Sequence, residues 1–128
     1  MFPVQQTSQS LPEDEMEMLT RVADRLSVMG HPTRLMIIGL LKSQAEATVT
    51  DIAEKLNLPM ASASQHLKTM ERVGLLKYRR AGRQNFYSFR LQMVQEICDV
   101  VCHQLEQETA DHTIEKATFQ RLMGHLQG

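Results

Sequence analysis

A proline at position 59 separates two short amphipathic patterns, and that break constrains the chain more than any other feature. Before it, Val49, Ile52, Ala53 and Leu56 recur at helical spacing; Asn57-Leu58-Pro59 then interrupts the period with a residue that cannot continue a helix. After it, Met60-Ala-Ser-Ala-Ser-Gln-His-Leu-Lys-Thr-Met70 puts Ala63, Leu67 and Met70 on one face and spreads Ser62, Gln65, His66, Lys68 and Thr69 over the rest. The pattern predicts helix, tight turn, helix. The second helix offers small polar side chains outward above an apolar underside, as a helix that reads a nucleic-acid groove must.

Leu75 to Phe89 follows with two β-rich runs hinged at Ala81-Gly82, with Arg79, Arg80 and Arg83 around the hinge. The expected fold is therefore mainly α with a small β-hairpin wing: a winged helix-turn-helix, with the helix-turn-helix over 49–73 and the wing over 75–90. The rest is scaffold. Residues 1–12 are polar and punctuated by proline, and read as a flexible N-terminal tail. A single domain is expected over 13–128. Its first helix, 13–29, opens on acidic residues and carries Leu19, Val22, Ala23, Leu26 and Met29 as a buried stripe. Gly30-His31-Pro32 breaks it, and Pro32 is placed to open the next helix, which carries Leu35, Ile38 and Leu41 and ends near Lys42. From Gln92 to about Gln107 a helix lines up Val94, Ile97, Cys98, Val101, Cys102 and Leu105, a stripe long enough at the edge of a small domain to want a partner. Residues 113–126 form a last amphipathic segment with Phe119, Leu122, Met123 and Leu126 in one stripe, either continuous with that helix or separate from it. The stretches 13–29 and 92–126 are the expected dimerisation helices.

Net charge is −1, but the charges are segregated. Between Lys68 and Arg90 there are seven basic residues against Glu71 alone, while acidic residues gather over 13–17 and again between Glu96 and Glu115. A basic edge that coincides with the reading helix and wing suits double-stranded DNA better than a merely solvated face does. Nine methionines in a chain without tryptophan read as flexible core filler rather than as metal ligands. Two cysteines in one helix make no disulfide framework, and neither a secretory leader nor an apolar run of spanning length is visible, so a soluble, cytoplasmic protein is expected. No nucleophile–base arrangement, phosphate loop, zinc-ligand spacing or paired catalytic acid appears, which argues against an enzyme.

The candidate DNA contacts follow from the chemistry of groove reading. Ser62, Ser64, Gln65 and His66 supply short or hydrogen-bonding side chains near the start of the second helix, and Gln65 can pair with the adenine edge in two places. His66 is equally a surface histidine packed over the next turn. Lys68 suits phosphate, with Thr69 beside it, and Pro59 leaves the first helical amides without a hydroxyl cap. Arg79, Arg80, Arg83 and Gln84 can grip the backbone or enter a minor groove. Tyr78, Phe86, Tyr87 and Phe89 are placed mostly against the core by alternation rather than offered for base stacking. Cys98 and Cys102, about 6 Å apart along a helix axis, share a face next to His103. They are either a thiol sensor, with a soft metal or metalloid ion, a persulfide or an oxidant as the signal, or simply buried packing residues.

His31-Pro-Thr-Arg-Leu-Met-Ile-Ile38, Val49-Thr-Asp-Ile-Ala-Glu-Lys-Leu56, Ser62-Ala-Ser-Gln-His-Leu67, Gly74-Leu-Leu and Gly82-Arg-Gln-Asn-Phe-Tyr87, in that order, resemble the ArsR/SmtB family of bacterial winged-helix repressors. The similarity spans roughly residues 15 to 107. It implies a homodimer joined through the first and fifth helices, an inverted-repeat operator and release by an inducer. The family's sensor sites carry over poorly. Its Cys-Val-Cys motif on the third helix reads Thr48-Val49-Thr50 here, and its fifth-helix zinc positions correspond to Leu91, Met93, Gln104 and Gln107. Of its dithiol pair only the fifth-helix member has a counterpart, Cys102, since Gly39 stands at the second-helix position. The expected function is a homodimeric repressor relieved by a thiol-directed signal; the alternative is a constitutive DNA-binding regulator with structural cysteines.

Overall fold

Thr48 does two jobs that organise the middle of the molecule. Its backbone is extended (φ −85°, ψ 165°), and its side chain closes a capping box with Asp51, so the same residue ends a strand and starts a helix. The computed structural model describes residues 11–108 and 113–126. Its elements are α1 (Glu13–Met29), α2 (Pro32–Gln44), β1 (Ala47–Thr48), α3 (Val49–Lys55), α4 (Met60–Arg72), β2 (Leu76–Ala81), β3 (Gln84–Phe89), α5 (Met93–Glu108) and α6 (Thr113–Leu126). The expected tail over 1–12 lies, as far as residue 10, outside the described residues.

The turn between α3 and α4 is a Schellman closure: Leu58 N–H donates to Ala53 O (2.8 Å), Asn57 N–H to Glu54 O, and Asn57 takes the left-handed conformation (φ 54°). Pro59 then makes a new helix start necessary. α4 ends the same way, with Gly74 at φ 85° and Leu75 N–H donating to Met70 O. In both closures the apolar residue after the turn packs inward, and Leu75 is fully buried.

The wing differs from a lone hairpin. β1 joins it, giving an antiparallel sheet in the order β1-β3-β2, with Ala47 opposite Tyr87 and Thr48 opposite Phe86. The hairpin turns through Gly82-Arg83, and positive φ at Gly82 but not at Arg83 is the pattern of a type II′ turn. Alternation holds for Tyr87, which is buried, but not for Tyr78, its cross-strand partner, which remains 50% exposed at the sheet edge.

The core is built from Ile37, Ile38 and Leu41 of α2, Ile52 of α3, Ala63, Leu67 and Met70 of α4, Leu75 and Leu76 at the start of the wing, and Val94 of α5. The stripe on α1, expected to be buried, and the stripe on α5, expected to want a partner, are not covered among the described residues. On α1 only Met29 is buried, with Val22 47% and Leu26 51% exposed; on α5 Val94 and Cys98 are buried while Val101 is 62% exposed. α6 is an element separate from α5, and it packs on α2 with Phe119 buried. No described helix is long and apolar enough to cross a membrane.

Candidate nucleic-acid interface

α4 is anchored from below by Ala63, Leu67 and Met70, all fully buried, so its remaining face is held outward at a fixed rotation. Pro59 at its N-cap makes no side-chain cap, and the first-turn amides keep their donors. Gln65 and Lys68 are exposed on the outer face; Ser62, Ser64 and Thr69 are half-exposed. The Thr69 hydroxyl donates to Gln65 O (3.0 Å), which holds it against its own helix. Met60, 52% exposed at the first turn of α4, was not among the expected contacts, because an apolar residue there reads as core.

His66 is tied inward. Its Nδ1 accepts from Arg34 Nε (3.2 Å), and its ring lies 4.9 Å from that of His31, tilted by 54°. Arg34 also donates to Val28 O, and His31 caps α2 by accepting from the Thr33 amide. Burial holds the His66 imidazole below the usual histidine range, and the positive Arg34 and the neighbouring His31 push it the same way. The ring is therefore a neutral acceptor that locks α4 to the N-terminus of α2. Arg34, which makes that link, was visible in the sequence only as part of a motif.

The wing arginines divide. Arg79 is clamped by Glu46, its Nε and Nη2 donating to the two carboxylate oxygens (3.1 and 2.6 Å), and it lies 4.5 Å over the Phe86 ring, so its charge is already matched. The hydrogen bond from Arg79 holds the Glu46 carboxyl below the usual carboxylate range. Arg79 thus differs from the expected tip contact. Arg80 reaches Asn85 Oδ1 at 3.4 Å, while Arg83, in the turn itself, and Gln84 are exposed. α4 packs against β2, which sets the reading face and the ribbon side by side.

Cys98 is buried and Cys102 half-buried; both line a cleft of about 240 Å³ with Leu26, Met29, Leu35, Ile97 and Val101. Burial pushes the Cys98 thiol up to about 11, and the adjacent Cys102 adds to the shift. His103 is not gathered with them: it faces Glu106 (3.9 Å) and Gln107 (3.3 Å), while Asp99 pairs with Lys42. Among the described residues no three His, Cys, Asp or Glu side chains come together as a metal-binding group.

A helix-turn-helix domain model matches residues 29–79. An uncharacterised HTH-type transcriptional regulator of Methanocaldococcus jannaschii is 35% identical over 86 residues, which is 67% of this chain and 97% of that protein. The crystal structure of the transcriptional repressor PagR of Bacillus anthracis superposes with a TM-score of 0.61 at 34% identity, covering 67% of this chain and 98% of that one. A homodimeric winged helix-turn-helix DNA-binding domain from Mycobacterium bovis shares the fold (TM-score 0.67, 24% identity), covering 82% of this chain and 94% of that one.

Proposed function

Since the chain belongs to the ArsR/SmtB family of winged helix-turn-helix transcriptional regulators, we propose that it is a homodimeric repressor whose two α4 helices enter successive major grooves of an inverted-repeat operator. The observation that carries the reading is the outward face of α4. Gln65 and Lys68 stand exposed on a helix rotation fixed by a buried underside, next to a ribbon tipped by Arg83. Gln65 is the base contact in this reading, Ser62 and Ser64 allow close approach, and Lys68, Arg80 and Arg83 hold phosphates. Gln84 serves beside them. Thr69 and His66 shape the helix from behind, and Arg79 stiffens the ribbon through Glu46.

Dimerisation is assigned to α1 and α5, whose uncovered apolar stripes adjoin one another across the cleft that contains Leu26, Ile97 and Val101. The structural relative from Mycobacterium bovis is homodimeric. α6, also expected among the dimerisation helices, packs on α2 with its Phe119 buried and its Leu122 45% exposed.

On control, the packing of Cys98 in the core and of half-buried Cys102 against it favours constitutive binding with structural cysteines over a thiol-directed signal. The experiment is selection of duplexes from a random-sequence pool by the purified protein, followed by footprinting. Two symmetric half-sites about one helical turn apart are expected, with affinity that falls steeply as salt rises. Failure to retain any duplex, or protection of a single half-site, would overturn the reading.

A further inference from the structure

At its C-terminal end α4 meets α1 and the exit from the wing. There an open cleft of about 670 Å³ is lined by Arg21, Arg25, Arg72 and Arg90 together with Asp24 and Glu71. The arginines come from separate places: one turn apart on α1, the last turn of α4 and the residue after β3. None of them forms an ion pair among the described residues, although two carboxylates share the wall. Arg25 is half-buried, and its Nε is a buried donor without an acceptor. Its guanidinium also lies close over Gly74, so that a methyl there would come within 3.2 Å of Nη2. Four guanidinium groups outnumber the two carboxylates on this wall and pair with neither, which leaves their planar forks unused; an oxyanion is matched by such forks two bonds at a time.

We propose that this cleft binds a compact oxyanion carrying two or more negative charges, a phosphate ester or a polycarboxylate, at one site per protomer. Duplex DNA is the poorer occupant. A strand presents a phosphate about every 3.4 Å, and a continuous rail would meet Asp24 and Glu71 as well as the arginines. A compact anion needs only a few of the guanidinium forks and does not have to run the length of the wall past both carboxylates. The site goes beyond the repressor reading and stands without it. Because Glu71 and Arg72 close the reading helix and Arg90 leads into α5, an occupied cleft ties both helices to α1.

The test uses the full-length protein, dialysed into a chloride buffer and titrated calorimetrically with sodium pyrophosphate and, separately, with citrate at constant ionic strength. Saturable binding of either anion at one per protomer is expected, with a rise in melting temperature. Pyrophosphate alone would identify the phosphate ester, citrate alone the polycarboxylate. Arg90→Gln and Arg21→Gln, both at exposed side chains, each weaken binding about tenfold or more, the loss of one charge-assisted contact. Both leave dimer mass unchanged, and Arg21→Gln, outside the basic edge, leaves DNA affinity unchanged as well. The proposal is overturned if neither anion gives saturable heat, if the two variants bind the anion like the parent, or if Arg21→Gln alters dimer mass or DNA affinity while anion binding stays the same.

Discussion

Gln65 and His66 are neighbours on one helix, yet their surroundings give them opposite tasks. Gln65 is exposed, whereas the His66 ring is occupied by Arg34 and His31. A bidentate base contact contributes about 1–3 kcal/mol of discrimination, so Gln65→Ala should weaken operator binding by roughly tenfold or more and relax preference at one base pair, measured by anisotropy at fixed salt. His66→Gln should change affinity far less and show itself in stability instead. Its depressed pKa means that the unfolded chain takes up a proton which the folded chain refuses. That contribution is fully present above the ordinary histidine value near 6.5 and is lost as pH falls through the lower folded value. Urea midpoints should therefore fall between pH 7 and 5, and the fall should be shallower in His66→Gln. A slope identical in both proteins would contradict the assignment. Residue types told much of this, but not all. Arg79, Arg80 and Arg83 look alike in the sequence; only Glu46, thirty-three residues from Arg79 along the chain, separates the clamped arginine from the one in the turn.

At the scale of elements, the helix-turn-helix was legible because its punctuation is local. Proline at 59, asparagine at 57 and glycine at 74 each act within one turn of where they stand, and the left-handed conformations at Asn57 and Gly74 are what the two Schellman closures require. β1 was not legible. Two residues hold no alternation, and Ala47-Thr48 becomes a strand only because β3 returns beside it, with Tyr87 opposite Ala47. The two glycines at positive φ give a direct comparison. Gly82 (φ 63°) has open space where a Cβ would go, while Gly74 (φ 85°) has the Arg25 guanidinium 3.2 Å away. Gly82→Ala should lose about 1–2 kcal/mol from backbone strain alone, and Gly74→Ala should lose more, since it adds the displacement of Arg25. Chemical denaturation of the two variants measures the difference, and equal losses would show that Arg25 yields freely.

For the whole molecule the decisive surface is the one this chain leaves uncovered. The period of α1 and α5 announced apolar stripes, and in this the sequence was right; what a single chain's pattern cannot say is whether a stripe is covered by its own fold or by a second copy, because both demand the same residues. Val22, Leu26 and Val101 stand about half or more exposed, alongside the buried Met29 and Cys98, so the stripe begins in the core and runs out to the surface. A charge placed in its outer half should spare the protomer fold, since Val101 touches little of that core, and should still destroy a desolvated pairing surface. Val101→Glu is therefore expected to sediment as a folded monomer with an unchanged helical spectrum. Its operator affinity should collapse as well, since two linked reading heads gain roughly a hundred- to ten-thousandfold over one by effective concentration alone. Binding to an isolated half-site, where the second head has nothing to hold, should hardly change. That last measurement separates a broken dimer from a damaged α4: loss on the full operator with half-site binding intact places the fault between the subunits, and equal loss on both places it in the reading helix.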